Sequence, residues 1–206
     1  MGCEASLPIA DVVLAPQGQP VAALDPRFCE PRVVTLYEGI QTIGRHNILD
    51  ARSDTTRFET EKRIAKWIFL SRRQWLLDAN KDPIANFDIK SSSKQPIVYV
   101  HAGNDHENKE ELFQIFADRR LGDKTAVQVK FNDVVTGQQC ELGFEGDWYR
   151  RAAFFWLDRG CQGIREPVAR IYRPYRDGYT HYQVDVAPNM DTALIALICA
   201  ILGDEY

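Results

Sequence analysis

The densest mixture of side chains capable of chemistry lies in residues 147–151, Asp-Trp-Tyr-Arg-Arg. Aromatic faces attract cations, and guanidinium groups donate charge-assisted hydrogen bonds to anions. Trp148, Tyr149, Arg150 and Arg151 are therefore the predicted ligand-binding residues, for a lipid headgroup or a planar organic molecule. The alternative interpretation is a strand whose two aromatic rings pack inward while its two arginines face water.

Two of the four histidines are candidate proton donors or acceptors. His101 follows an apolar run over residues 97–100 at the mouth of a charged loop, and imidazole titrates near neutral pH. His181 lies on one face of a predicted strand over residues 179–186, and that face is either exposed or borders a pocket. Together with Arg150 they are the candidate catalytic residues, although His101 has the alternative interpretation of a solvated loop histidine.

No recognisable catalytic or metal-binding motif is present. The chain has no Ser/His/Asp ordering, no HExxH, no glycine-rich phosphate loop and no dinucleotide fingerprint. Its five cysteines, Cys3, Cys29, Cys140, Cys161 and Cys199, are scattered without metal-ligand spacing. We therefore predict no metal and no cofactor, and interpret Cys199 as a small buried residue within an apolar run.

The N-terminal residues Met-Gly-Cys-Glu-Ala-Ser fit the myristoylation pattern M-G-x-x-x-[ST]. Gly2 would carry the acyl amide, and Cys3 beside it is suitably placed for palmitoylation. One acyl chain gives marginal membrane binding, whereas two give stable anchoring. The alternative is a chance match to a short and permissive pattern.

Composition and charge limit the classes of partner. A net charge of −4 and a pI near 5.6 argue against nucleic acid, because phosphate binding needs a surplus of clustered cations. No signal-peptide core and no transmembrane run are recognisable. We expect a cytoplasmic protein, attached to the inner membrane face if Gly2 and Cys3 are acylated. Nothing in the sequence indicates an oligomeric state.

The elements that must position these residues are mainly strands. Residues 1–21 are rich in proline and alanine and are predicted to form a flexible arm, and residues 22–206 one domain. Short segments with β-branched and aromatic residues, separated by turn signals, are typical of an antiparallel all-β domain. The predicted strands span residues 32–37, 47–50, 57–61, 68–78, 84–90, 97–100, 112–117, 126–131, 138–144, 148–157, 164–172 and 179–186. A short helix is predicted over residues 60–66.

The chain closes with ten consecutive apolar residues, 193–202. A helix that is apolar on every face must be enclosed, and this one is too short for a bilayer, which needs about 20 such residues. About eleven or twelve strands followed by one apolar helix favour a closed β-barrel built around that helix.

Three segments resemble the LURP-one-related family. They are residues 25–31 (DPRFCEP), residues 75–84 (WLLDANKDPI) and residues 182–191 (YQVDVAPNMD) with the apolar helix that follows. The resemblance covers roughly residues 22–204. It implies a relationship to the tubby C-terminal-like superfamily, which includes the phospholipid scramblases, and a twelve-stranded β-barrel threaded by a hydrophobic C-terminal helix.

The resemblance implies function only through lipids. Tubby-type domains bind phosphoinositides through basic surface residues, and scramblases are lipid-associated and respond to calcium. Calcium takes six to eight oxygen ligands, and Asp177, Asp185 and Asp191 are too dispersed to supply them.

Three hypotheses about function remain open. The first is a noncatalytic barrel that binds a membrane lipid or an apolar small molecule. The second is a cofactor-free cyclase or isomerase that acts on a hydrophobic small molecule by orientation and a few hydrogen bonds. The third is a protein-interaction adaptor that works through its N-terminal arm.

Overall fold

The computed structural model describes residues 9–42, 45–62, 73–90, 97–103, 110–118, 126–172 and 182–203. Twelve strands form one closed antiparallel barrel, in which each strand pairs with the next and β1 pairs with β12. The strands are β1 (Val34–Thr42), β2 (Arg45–Asp50), β3 (Thr55–Lys62), β4 (Gln74–Asp78), β5 (Pro83–Lys90), β6 (Ile97–Ala102), β7 (Glu111–Asp118), β8 (Ala126–Asn132), β9 (Gln139–Asp147), β10 (Ala152–Arg159), β11 (Glu166–Tyr172) and β12 (Gln183–Val186). The α-helix α1 spans Thr192–Gly203, and short 3-10 turns occupy Ile9–Asp11 and Pro26–Phe28.

The strands follow a two-residue alternation of apolar and polar side chains. In β8, Val127, Val129 and Phe131 are buried, whereas the four residues that alternate with them are exposed. Successive side chains of a strand point to opposite faces, so one face of this strand enters the core and the other meets solvent. The predicted mainly β barrel is therefore confirmed, with twelve strands.

The antiparallel order gives the barrel two distinct ends. We call the end at which β1 begins the start end of the barrel, and the opposite end the finish end. The start end carries the beginning of α1 and the turns at residues 51–54, 79–82, 133–138 and 160–165. The finish end carries the turn at residues 148–151 and the C-terminus of α1. A β-carbon added to Gly203 would lie 3.3 Å from His46 Cε1. The last residue of α1 therefore lies beside the first residues of β2, at the finish end of the barrel.

The helix α1 fills the barrel. Each residue from Thr192 to Leu202 is at most 3% exposed, and these side chains form one core with the inward faces of the strands. At about 1.5 Å rise per residue the helix is about 18 Å long, enough to run from one end of the strands toward the other. Within the described ranges, no helix has the length and apolarity needed to cross a bilayer.

A closing segment, residues 15–31, runs across the start end. Val21 N donates to Asn189 O at 2.8 Å, and Asp191 N donates back to Val21 O at 3.1 Å. Farther along, Val134 N donates to Ala22 O at 2.9 Å. These bonds connect the segment to the start of α1 and to the β8–β9 turn, so the start end is covered by backbone.

The described part of the predicted arm lies against the barrel. Ala15 N donates to Pro167 O at 2.7 Å, and Arg170 Nη1 donates to Val12 O at 3.2 Å. Val12 is 8% exposed and Gln17 is 3% exposed. The domain boundary after residue 21 stays a prediction, but residues 9–21 have extensive contacts with the strands.

Two local predictions are wrong at their boundaries. Residues 60–62 belong to β3, where they pair with β4, and do not begin a helix. The strand predicted over residues 148–157 begins only at Ala152, because residues 148–151 form a turn in which Arg151 has a φ of 53°. Part of the strand predicted over residues 68–78 lies outside the described residues, and β4 begins at Gln74.

Candidate functional site

A cavity of about 410 Å³ opens on the outer surface of β12, β1 and β2. Because α1 occupies the lumen, a ligand must bind outside the barrel wall or at its ends. The cavity is lined by Arg32, Val33, Val34, Thr35, Asp50, Ala51, Arg52 and Gln183. We call it the β1 pocket.

The β1 pocket contains two guanidinium groups that differ in their contacts. Arg32 Nε donates to Glu30 Oε2 at 2.9 Å, and the Arg32 side chain is still 51% exposed. Arg52 is exposed, and its guanidinium has no hydrogen bond or ion pair with any described residue. The pocket therefore contains one cation that is already paired and one that is available to an anion.

Asp50 anchors the turn that presents Arg52. Its Oδ1 accepts hydrogen bonds from the backbone N–H of Arg52 at 2.9 Å and of Ser53 at 3.2 Å, and its Oδ2 lies 3.1 Å from Arg57 Nη1. Burial alone would raise the pKa of Asp50, but these donors outweigh burial and lower it below the ordinary value. The carboxylate is thus committed to the turn and to Arg57.

The rim of the β1 pocket is partly apolar. Val33 is 50% exposed beside the two arginines. Guanidinium groups bind carboxylate and phosphate oxygens with paired hydrogen bonds. The arrangement can therefore hold an anionic group that has an apolar portion attached to it.

The predicted ligand-binding residues at 148–151 differ in their exposure to solvent. Trp148 is 2% exposed, with its ring centroid 5.1 Å from that of Tyr182, and the Arg151 guanidinium lies 4.3 Å from the Trp148 centroid. By contrast, Tyr149 is 50% exposed, and the Arg150 side chain is 85% exposed, with its Nε 3.4 Å from Asp147 Oδ2. Trp148 and Arg151 cover each other, so a ligand would meet Tyr149 and Arg150 first. The binding role of all four stays a prediction.

The candidate catalytic residues are not brought together. His101 is the penultimate residue of β6, near the start end, whereas Arg150 lies in the β9–β10 turn at the finish end. His181 is outside the described residues, as are the acylation candidates Gly2 and Cys3. The described pair therefore cannot act on one substrate atom in this arrangement.

Comparison with known proteins now decides the family. The model of the family described as LURP-one-related matches residues 42–204, which is more than three quarters of the chain. The chain belongs to the LURP-one-related family. A relative in Arabidopsis thaliana, "Protein LURP-one-related 15", is 23% identical over 203 residues, which cover 92% of this chain and 90% of the relative. No solved structure matches. The predicted family is thus confirmed.

A buried polar cluster at the finish end of this LURP-one-related barrel escaped sequence reasoning. Glu38 Oε1 lies 2.9 Å from His46 Nε2, and both residues are at most 6% exposed. Tyr182 and Cys199 are also fully enclosed there, and burial raises the pKa of each. The signal was available, because Glu38 lies two residues after the core residue Leu36 and so shares its inward face.

None of these groups forms a metal site. Across the described ranges, no three histidine, cysteine, aspartate or glutamate side chains cluster closely enough to hold an ion.

Cys29 is a poor nucleophile, because burial raises the pKa of its thiol to about 12 and the thiol donates a hydrogen bond to Val21 O.

Proposed function

We propose that this LURP-one-related barrel is a noncatalytic module that binds an anionic membrane lipid in the β1 pocket. The observation that carries the proposal is the guanidinium of Arg52, which pairs with no described residue and lies at the edge of a cavity of about 410 Å³. Arg32 is the second cation of the pocket, and the exposed side chain of Val33 would meet the apolar part of the lipid.

The expected affinity of the β1 pocket for an anionic membrane is moderate. A basic residue near an anionic membrane surface contributes about 1 kcal/mol, and this contribution decreases with salt. Arg32 would exchange Glu30 for the headgroup and so contribute less than Arg52. Stable attachment then requires a second contribution, such as acylation.

The first test is flotation with vesicles of phosphatidylcholine, with and without phosphatidylserine. We expect wild-type protein to float with the anionic vesicles, and Arg52→Ala to bind about fivefold more weakly, which corresponds to about 1 kcal/mol. Lys130→Ala is the matched control, because Lys130 is an exposed cation on β8, remote from the pocket.

Arg150→Ala separates the two candidate sites. If Arg150→Ala weakens flotation and Arg52→Ala does not, the lipid binds at the finish end and the β1 pocket assignment fails. Equal loss in Arg52→Ala and Lys130→Ala would mean that only overall charge matters.

We also propose that Gly2 is myristoylated and Cys3 palmitoylated, on the pattern of the first six residues. Each buried CH₂ contributes about 0.8 kcal/mol, so two chains would convert weak headgroup binding into stable attachment. Intact-mass analysis of protein from its native cell should show both acyl groups, and Gly2→Ala should remove the myristoyl group. A mass that reflects only the loss of Met1 contradicts this proposal.

A further inference from the structure

Two neighbouring turns at the start end of the barrel present aliphatic side chains to solvent. In the β8–β9 turn, Val134 is 52% exposed and Val135 is 44% exposed, and in the β10–β11 turn Ile164 is 64% exposed. The two turns are adjacent, because Gly160 N donates to Gln139 O at 2.7 Å. We call Val134, Val135 and Ile164 the apolar tips.

The exposed parts of both turns carry no charge. Residues 134–138 are Val-Val-Thr-Gly-Gln and residues 160–164 are Gly-Cys-Gln-Gly-Ile, in a chain of which 26% of the residues are charged. The carboxylates that hold the two turns, Asp133 and Asp158, are only 2% and 6% exposed. Moving a charged group out of water is costly, and the tips could enter an apolar layer without that cost.

Several backbone donors of the turns are already bonded within the protein. Asp133 Oδ1 accepts from Val135 N at 3.2 Å. In the second turn, Asp158 accepts from Gln162 N at 2.9 Å and from Gly163 N at 2.7 Å. Backbone groups that leave water need partners, and these bonds supply them before any membrane is met. They also fix the shape of the turns, so little conformational entropy would be lost on insertion.

The size of the apolar tips fits a lipid surface better than a protein partner. A stable protein interface buries about 800 Å² on each partner, and three aliphatic side chains that are about half exposed present much less. The interfacial layer of a membrane has no such minimum, because binding there scales with the apolar area that is inserted. A bilayer is therefore the occupant that these three side chains favour.

The β1 pocket lies toward the same end of the barrel. Arg52 is in the β2–β3 turn, and Arg32 directly precedes the strand whose beginning defines the start end. Arg165 and Glu166 follow the second turn and cancel in net charge. One membrane surface can thus meet the cations of the pocket at its headgroups and the apolar tips at a greater depth.

We propose that the start end faces the membrane and that Val134, Val135 and Ile164 insert between the headgroups and the upper acyl chains of a phospholipid bilayer. This inference rests on the proposed membrane binding, but not on the β1 pocket as the headgroup site. Insertion adds an apolar contribution that salt does not screen to the electrostatic contribution of Arg52.

The first test measures partition of full-length, non-acylated protein into vesicles of phosphatidylcholine and phosphatidylserine. We expect the double variant Val135→Ser/Ile164→Ser to bind about tenfold more weakly, because two aliphatic side chains are lost from the inserted surface. Val13→Ser is the matched control, since Val13 is 82% exposed and lies outside both turns. Between about 0.05 M and about 0.3 M salt the loss in the double variant should stay constant, whereas the loss in Arg52→Ala should shrink.

The second test reports insertion directly through Cys161, an exposed cysteine of the β10–β11 turn. With Cys3→Ser in the background, an environment-sensitive fluorophore on Cys161 should shift to the blue on vesicle binding and be quenched by lipids that carry a spin label on the upper acyl chain. The control carries the fluorophore on Glu145→Cys in a Cys161→Ser background. Glu145 is exposed near the finish end of β9, so this fluorophore should stay in water.

The outcomes separate this inference from the proposed headgroup site. Equal partition of the double variant and Val13→Ser overturns insertion and leaves the β1 pocket intact. Quenching of the fluorophore at position 145 and not at Cys161 assigns the membrane to the finish end and also overturns it. Weaker partition in the double variant with unchanged Arg52→Ala supports insertion and removes the β1 pocket. If wild-type protein binds neither anionic nor neutral vesicles, membrane binding itself fails.

Discussion

Ile198→Asp is expected to leave the domain unfolded at 25 °C. Ile198 is 0% exposed in the middle of α1, and α1 lies inside a closed barrel. A carboxylate there would lose its hydration at a cost of several kcal/mol, in addition to the loss of the buried isoleucine side chain, about 2–5 kcal/mol. Domains of this kind are stable by only about 5–15 kcal/mol. Circular dichroism and the elution volume on gel filtration measure the loss of structure.

Ile198→Val is the matched control for this substitution. It removes one methylene group from the same position and should cost only about 0.5–1.5 kcal/mol, so the variant stays folded. A soluble Ile198→Asp variant that unfolds cooperatively near the wild-type midpoint would show that α1 does not lie in the lumen.

Asp191 connects the beginning of α1 to the closing segment. Its Oδ1 accepts from the N–H groups of Ala193 at 3.0 Å and Leu194 at 3.1 Å, which is the capping arrangement of a helix N-terminus. Its Oδ2 accepts from the N–H groups of Ala23 at 3.1 Å and Leu24 at 2.9 Å. One fully buried carboxylate thus satisfies four backbone donors.

Asp191→Ala is expected to lower the free energy of unfolding by about 3 kcal/mol or more at pH 7. The loss combines a missing helix cap, about 1 kcal/mol, with buried N–H groups left unsatisfied at about 1–3 kcal/mol each. Urea unfolding of the variant beside Glu145→Ala, an exposed acid that caps nothing, measures it. An unchanged midpoint for Asp191→Ala would contradict this role for the carboxylate.

The same carboxylate predicts a pH dependence. Burial raises the pKa of Asp191 from 3.8 to about 6, and the four N–H donors oppose that rise only in part. Between those two pKa values the folded protein binds more protons than the unfolded chain, so the contribution of this group to stability falls as the pH rises. The difference in stability between wild type and Asp191→Ala should therefore widen by about 2 kcal/mol from pH 7 to pH 4. A difference that is constant over this range would show that the pKa is not raised.

The sequence anticipated the parts of the fold that depend on local pattern. The alternation in β8 and the uninterrupted apolar run of α1 lead directly to a strand and an enclosed helix. The closing segment could not be anticipated, because its bonds join residues such as Ala23 and Asp191, which are 168 positions apart. Its prolines excluded a helix but gave no indication of which backbone groups it would meet.

The candidate sites were less accessible to sequence reasoning for a similar reason. The β1 pocket depends on Arg52, a turn residue that has no periodic pattern, and on strands that become neighbours only when β1 closes the barrel against β12. Trp148 was predicted on a strand, whereas its place in a turn lets it pack against Tyr182. His101 was singled out from the sequence and its role stays a prediction, whereas its neighbour Asn86 is revealed only by the register of β5 and β6.

The position of α1 after all twelve strands has a consequence for how the chain folds. The strands are synthesised before the helix that supplies their core, so during translation their inward faces lack the surface that finally covers them. β1 must also wait for β12, about 150 residues later, before the barrel can close. Contacts of such long sequence separation slow folding and prolong the exposure of apolar strands. Barrel formation is therefore expected to be completed only after synthesis of α1, as one late and cooperative step.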